Sequence, residues 1–170
     1  MTTITTMKRY LFILLAAIAF VACSNDENDV VVNQISEIGS HELSLPVKEF
    51  FDAEIHDFAL SAPTYETLFE TIYEVVNSQQ ELIRLYTGEK ELPQIDFSTR
   101  SLLIGYVVAP STAWRLEQVE LQEQAQSLLL APHMKQVSDF GLQVLIPLYF
   151  WKFYPKLPNK PVVVSVREEK

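Results

Sequence analysis

The sequence predicts an α+β fold that is mostly an antiparallel β-sheet or sandwich with one short helix. Residues 101–109 (SLLIGYVVA) are apolar at both parities, which is typical of a central strand that is covered on both faces. Residues 161–167 alternate and therefore predict a half-buried strand. The inward residues of that strand are Val162, Val164 and Val166. The clearest helix signal lies at about 78–87, so we expect one helix packed on a sheet.

The region before this helix gives conflicting signals. Phe51, Ile55 and Phe58 are spaced i, i+4, i+7 as on a helix face, but other apolar residues nearby do not fit that stripe. We therefore expect residues 46–69 to be irregular with short strands. Residues 71–76 (TIYEVV) are β-branched and aromatic and predict a strand.

The helix at about 78–87 is predicted from its ends. Ser78 stands three positions before Glu81, as in a capping box, where the two side chains bond free amides of the first turn. Gly88 is expected to end the helix in a left-handed conformation. The apolar face of this helix comprises Leu82, Ile83, Leu85 and Tyr86.

The strand that follows residues 101–109 changes phase midway. Trp114 and Leu116 lie on one parity, whereas Val119 and Leu121 lie on the other. A one-residue change of phase is what a β-bulge produces. The pattern therefore predicts a bulge near residues 117 and 118.

Two more strands complete the predicted sheet. Residues 126–134 form a strand with Leu128 and Leu130 inward, which is expected to end near Pro132. A turn at 138–141 then leads into a strand over 142–153.

The start of the chain predicts export. Lys8 and Arg9 precede an apolar run at 11–21, which is shorter than the about 20 residues needed to cross a bilayer. The small Ala22 and the only cysteine, Cys23, follow at once. Met7, directly before the basic pair, is expected to be the natural start rather than Met1.

The order basic, apolar, small, cysteine resembles the bacterial lipoprotein signal. Residues 20–23 (FVAC) stand where that family has its lipobox, with Phe20 in place of the usual Leu. The resemblance implies that 1–22 is a signal peptide and that a lipid is attached to the Cys23 sulfur. An ordinary secretory signal and a buried apolar helix are the alternatives. The position of the only cysteine favours the lipoprotein.

Residues 23–45 are expected to form an acidic, flexible tether, and residues 46–170 a single β-rich domain. The acidic run at 24–29 (SNDEND) resembles the signal that some Gram-negative lineages use to place lipoproteins on the cell surface. A plain spacer in the outer membrane is the alternative. Residues 30–32 (VVV) fit either the tether or an edge strand.

The charge and the cysteine content exclude several classes of function. Removing 1–22 would take away two positive charges and no acid, so the formal charge would move from −9 to −11. Such a chain repels phosphate backbones, and nucleic-acid binding is not expected. Lipidation of Cys23 would leave no thiol, which excludes disulfides, cysteine nucleophiles and thiolate metal sites.

The sequence carries no recognisable catalytic or metal-binding motif. Its four glycines are too far apart for a phosphate-binding loop, and there is no Gly-x-Ser-x-Gly elbow. His41, His56 and His133 lack the i, i+4 spacing of a helical zinc pair, so no metal and no cofactor are expected. Carboxylates could still supply a glycosidase pair. The acids considered are Asp52, Glu54, Asp57, Glu66, Glu70 and Glu74.

An aromatic run near the end of the chain is the candidate ligand-binding site. Tyr149, Trp151 and Phe153 share one parity of the predicted strand, and Trp114 could join them. Tyr and Trp combine a stacking surface with a polar group, which suits a sugar or a peptide. The alternative is that a helix or a second sheet covers this face and makes it core.

A second resemblance concerns the sheet. Residues 95–122 and the closing PLYFWKFYPKLP are similar to uncharacterised exported lipoproteins and, more distantly, to the C-terminal domain of a protease-complex subunit (PrcB-like). The shared pattern is Asp96-Phe97, the apolar strand after it, and a turn into the Trp114 strand. In this family the turn is usually glycine-rich, whereas here it has no glycine. The resemblance implies a small β-rich domain.

Together these observations predict an outer-membrane or cell-surface lipoprotein that acts as a non-catalytic binding or accessory module. We expect a monomer that is held to the membrane through the lipid on Cys23, with a glycan, a peptide or a protein as its partner. The alternatives are an envelope hydrolase that uses carboxylates and a scaffold or protease-complex partner. A shallow aromatic surface would favour binding, whereas a deep cleft with two acids would favour the hydrolase.

Overall fold

The computed structural model describes residues 32–39, 42–61 and 70–170, which belong to one unit, Val31–Lys170. The strands are β1 Asn33–Gln34, β2 Ile72–Val76, β3 Arg100–Ala109, β4 Trp114–Glu123, β5 Leu128–Gln136, β6 Ile146–Pro155, β7 Val162–Val164 and β8 Arg167–Glu169. The helices are α1 Leu45–Glu54 and α2 Gln79–Leu85, and a 3₁₀ turn at Ile55–Asp57 follows α1.

The strands form two sheets. One has the order β1-β4-β5-β7, with β8 also beside β5, and the other has the order β2-β3-β6. All pairs are antiparallel except those of β7 and β8, which run parallel to β5. The predicted β-rich α+β fold is confirmed, with two short helices instead of one.

The core lies on both faces of the three-stranded sheet. Between the two sheets, Leu103 of β3 packs with Leu121 of β4 and Phe150 of β6. On the opposite face, Leu102 and other β3 side chains pack against residues of α1 and α2. Strand β3 is therefore buried from residue 101 to 109, as its apolar residues at both parities predicted.

The predicted bulge in β4 is confirmed. Leu116 pairs with Met134 and Gln118 pairs with His133, so Glu117 is the extra residue. The bulge lets Trp114 at one end and Leu121 at the other both point into the core, although their parities differ.

The prediction that residues 46–69 are irregular with short strands is wrong in its first part, because α1 occupies Leu45–Glu54. Pro46 lies in the first turn, where its missing N–H costs no hydrogen bond. The helical stripe was the correct signal, since Phe51 is completely buried and Ile55 and Phe58 are also buried. Residues 62–69 lie outside the described ranges.

The Ser78 cap is confirmed, but Glu81 bonds the amide of Asn77 instead of that of Ser78, and the predicted stop of the second helix is wrong. Ser78 Oγ accepts from the Glu81 amide at 3.2 Å, and Glu81 accepts from the Asn77 amide at 2.6 Å. The helix ends at Leu85, because Tyr86 is extended. Gly88 has another role, since a Cβ there would lie 2.3 Å from the Tyr86 hydroxyl oxygen. Gly88 thus makes room for the Tyr86 side chain.

Strand β5 continues beyond its predicted end at Pro132, as far as Gln136. The amide of Leu128 donates to Pro161 O on the β7 side of the strand. By alternation the Pro132 nitrogen faces that same side. There Leu130 pairs with Val164 of β7 and His133 pairs with Arg167 of β8, so Pro132 lies opposite the gap between β7 and β8 and its missing N–H breaks no strand pairing. Strand β6 begins at Ile146, four residues later than predicted.

The packed part of the chain begins earlier than the predicted boundary at residue 46. Strand β1 pairs with β4, and the Ile38 amide donates to Phe153 O at 2.7 Å. Ile38 and Leu43 are both buried. Strand β1, Ile38 and Leu43 are therefore packed and are not part of a flexible tether. The signal segment, Cys23 and the acidic run lie outside the described residues, and no described helix is long and apolar enough to span a membrane.

Candidate functional site

The predicted aromatic run borders a shallow cavity of about 290 Å³ at the edge of the α1–β6 contact. Strand β6 contributes Tyr149 and Trp151, and α1 contributes Lys48 and Asp52. The remaining lining residues are Glu37, Leu43 and Phe150. The cavity thus combines aromatic rings with charges of both signs.

Strand and helix periodicity bring these side chains together. Alternation along β6 places Phe150 between the sheets and directs Tyr149 and Trp151 towards α1. In α1, Lys48 and Asp52 are four positions apart and therefore occupy the same helix face. Two regular elements thus fix the rim of the cavity.

Trp151 is half-buried and is held in place by packing and by a hydrogen bond. Its ring centroid lies 5.4 Å from that of Phe51 and 6.2 Å from that of Phe153. Its indole N–H donates to Asp52 Oδ1 at 3.0 Å. One part of the ring therefore belongs to the core, while the polar edge is directed to the rim.

Tyr149 is fixed by two other rings. It meets His56 edge to face with the ring centroids 4.5 Å apart, and Tyr106 lies 5.3 Å away. The Tyr106 hydroxyl donates to Ser61 O at 2.8 Å. Burial raises the pKa of Tyr106, which favours the protonated hydroxyl that donates this bond.

The charges at the rim differ in their pairing. Glu37 forms an ion pair with Lys152, and Asp52 accepts from Trp151. The Lys48 ammonium is exposed and makes no hydrogen bond or ion pair with another described residue. Among the described residues that line the cavity, Lys48 is therefore the cation that remains available to an incoming ligand.

Two of the four predicted site residues do not belong to this surface. Phe153 is completely buried beneath α1, so it supports Trp151 from below and cannot contact a ligand. Trp114 is also buried and packs in a different cluster, with Val107 and Met134 between the sheets. The alternative that a helix covers this face thus holds for Phe153, whereas Tyr149 and Trp151 reach the cavity.

Sequence reasoning missed the contribution of α1. Lys48 was not predicted as a site residue, and Asp52 was considered only as a catalytic acid, because their segment was interpreted as irregular. The helical stripe of Phe51, Ile55 and Phe58 was the signal that could have placed them on one face of a helix.

Of the carboxylates considered for catalysis, Asp52 and Glu54 are held in structural contacts. Glu66 lies outside the described residues. Glu54 is buried, receives the Tyr86 hydroxyl at 2.9 Å and pairs with Lys90 at 2.6 Å. The hydrogen bond from Lys90 and that from Tyr86 lower the pKa of Glu54, which opposes a role as a general acid. Among the described residues, no group of three His, Cys, Asp or Glu side chains could hold a metal ion.

The Asp96-Phe97 pair makes structural contacts just before β3. Asp96 accepts from the Ser98 amide and from the Thr99 hydroxyl, both at 3.1 Å, and Phe97 is buried. The bonds from Ser98 lower the pKa of Asp96. This pair therefore shapes the turn into β3.

A larger crevice of about 430 Å³ lies between β2 and β7. Its lining residues are Glu70, Thr71, Tyr73, Val164 and Val166. The Tyr73 hydroxyl is directed to Val162 O at 3.3 Å. The crevice has no charge pair and no tryptophan, so the smaller cavity at Trp151 is the better candidate.

No protein-family model, curated protein or solved structure matches this chain. Its function must therefore be argued from its own residues. The cavity beside Trp151 is the described site that combines fixed rings with an available charge.

Proposed function

We propose that this chain is an exported, lipid-anchored module that binds a glycan or a peptide at the cavity beside Trp151 and has no catalytic role. The observation that carries the proposal is the arrangement of Tyr149 and Trp151 next to the available Lys48 ammonium. An aromatic ring offers a stacking surface, and a cation adds a charged contact for a carboxylate or a polar group.

The pairing of the acids supports binding over hydrolysis. A glycosidase needs two carboxylates on either side of the bond that is cleaved, one of which must donate a proton. At this cavity Glu37 is paired with Lys152, and Asp52 accepts the Trp151 indole N–H. Both acids therefore already serve contacts within the protein.

The rigidity of the site also supports binding. Trp151 is held by Phe51 and Asp52, and Tyr149 by His56 and Tyr106. A ligand that stacks on these rings would not have to order them first, which removes one entropic cost of association.

The proposed export and membrane attachment rest on the sequence. The basic pair at 8–9, the apolar run and the lipobox-like 20–23 support export and lipidation at Cys23. The acidic run at 24–29 supports an outer-membrane position on the cell surface. A lipid-anchored domain in that position meets glycans and peptides of its surroundings.

Glycan and peptide arrays probed with the mature chain test the proposal. We expect one ligand class to bind, and Lys48→Ala to weaken that binding about tenfold or more because a charge-assisted contact is lost. Arg84→Ala is the matched control, since it removes an exposed cation from the other helix. Equal binding by Lys48→Ala and the wild type would contradict the proposed site.

A further inference from the structure

The connection between β5 and β6 exposes a large amount of apolar surface. Phe140 is 89% exposed and Leu142 is 73% exposed. Val137, Val144 and Leu145 are also exposed. We name residues 137–145 the apolar loop. Its part from 140 to 145 carries no charged residue, although the chain has a net charge of −9.

The apolar loop is held in this position by its backbone. The Thr112 amide donates to Leu142 O at 3.1 Å, and the Leu142 amide donates back to Thr112 Oγ1 at 2.9 Å. Gly141 lies against the Ala113 backbone, where a Cβ would come within 2.7 Å of the Ala113 nitrogen. The fold thus fixes the loop and leaves its apolar side chains in water, which is typical of a contact surface.

The loop lies at the opposite end of the domain from the predicted tether. Asn33 pairs with Glu123 at one end of β4, whereas Gln136, just before the loop, pairs with Trp114 at the other end. Nine residue steps of strand separate these ends, or about 30 Å.

We propose that the apolar loop is a second membrane contact, which inserts into the same bilayer that holds the lipid on Cys23. This inference rests on the proposed lipid anchor. Nine residue steps join Cys23 to Val32, so the chain between them can reach at most about 30 Å. A domain that lies with its strands along the bilayer would bring the tether end and the apolar loop to the surface together.

The short tether favours the bilayer as the occupant of the loop. Because the anchor keeps the domain next to the membrane, the second contact forms within one assembly and needs little affinity of its own. Exposed Phe and Leu side chains on an uncharged stretch suit the interface between headgroups and acyl chains. A partner protein would have to find the same loop by diffusion.

A dye attached to the loop of the full chain tests this proposal. Cys23 is the only cysteine, and its sulfur is blocked once it is lipidated, so a Leu142→Cys variant can be labelled at one position. The lipidated chain is placed in phosphatidylcholine vesicles after its mass has shown the lipid. We expect a blue-shifted emission at position 142 and quenching by lipids that carry bromine on their acyl chains.

Two further variants sharpen the test. The dye at Ile83→Cys, an exposed apolar position on α2, should stay in water and be quenched by iodide. Adding Phe140→Ser to the Leu142→Cys variant should reduce the acyl-chain quenching several-fold, because the most exposed ring of the loop is lost.

The outcomes separate this proposal from the anchor on which it rests. Lipidated Cys23 with the dye at 142 in water would overturn the membrane contact alone. An unmodified Cys23 would overturn the anchor and the membrane contact together. A blue shift that grows with protein density, without quenching by brominated lipid, would overturn the proposal in favour of contact between two copies of the chain.

Discussion

Trp151 and Asp52 join the sheet to the first helix through the hydrogen bond from the indole N–H to Oδ1, 3.0 Å long. They are 99 positions apart, so the contact forms only when α1 is packed on β6. Trp151 is consequently part of the cavity rim and part of the interface that holds the helix. Any experiment on ligand binding must separate these two roles.

Phe153 and Phe140 form a matched pair for testing the core. Phe153→Ala should lower the free energy of unfolding by about 3 to 5 kcal/mol, because the ring is fully buried between β6 and α1. Phe140→Ala should change it by less than about 0.5 kcal/mol, because that ring is exposed. Urea unfolding of both variants measures the difference. Similar losses would show that the apolar loop is packed in solution.

Two aspartate substitutions test which face of β7 is buried. Val164 packs against the cluster between the sheets, so Val164→Asp should destabilise the domain by about 2 to 4 kcal/mol through a desolvated charge. Val163 is 51% exposed, and Val163→Asp should cost less than about 1 kcal/mol. Thermal melts of both variants check this. Equal damage would mean that both faces of β7 are covered.

Glu54 should make stability depend on pH. The Lys90 and Tyr86 contacts lower its pKa below the ordinary 4.5, so the unfolded state binds the proton more readily. The stabilisation is therefore present above pH 4.5 and is lost as the pH falls through the lowered folded pKa. Glu54→Gln should lower the melting temperature at pH 7 and flatten its decline in acid.

The control for this measurement is Glu91→Gln, which neutralises an exposed acid close to the same lysine in sequence. Its melting temperature should follow the wild type across the pH range. If the curves of Glu54→Gln and the wild type run parallel into acid, the Glu54 contacts do not carry the pH dependence.

The proposed lipid attachment is tested by substituting Cys23. Cys23→Ser should leave the precursor uncleaved and without label from radioactive fatty acid, because the sulfur that receives the lipid is gone. Gel mobility and autoradiography of whole cells measure both effects. Normal labelling of the variant would place the lipid elsewhere and remove the basis of the anchor.

Patterns local to one element predicted their structure correctly. The change of parity between Leu116 and Val119 predicted the bulge because alternation in a strand depends only on neighbouring residues. The apolar stretch 101–109 predicted a strand with two covered faces for the same reason. Ser78 and Glu81 likewise predicted a helix start, which is a contact within one turn.

Features that depend on tertiary contacts could not be predicted in this way. Residues 46–69 were interpreted as irregular because several apolar residues did not fit the helical stripe. Pro46 nevertheless suits the first turn of α1, and the helix is stabilised by packing its apolar face on the sheet. Tyr149 and Trp151 were predicted as site residues because the aromatic run and its parity can be recognised from the sequence alone. Lys48 and Asp52 were not assigned to this site, because they reach it only through the packing of α1 beside those rings.

The emission of Trp151 reports directly on ligand binding at this cavity. The chain has two tryptophans, so Trp114→Phe leaves Trp151 as the single reporter at the rim. Trp151→Ala is unsuitable on its own, since it also removes packing against Phe51 and could unfold the domain. The matched control is Trp151→Phe, which keeps only Trp114 in its separate cluster.

The ligand that the arrays identify is titrated into both variants, and calorimetry measures the affinity of each, which should be lower for Trp151→Phe because the indole N–H is lost. We expect a saturable change in Trp151 emission with the calorimetric affinity, and no change in the variant that reports from Trp114. Binding that leaves Trp151 emission unchanged would contradict the assignment of the site to this cavity.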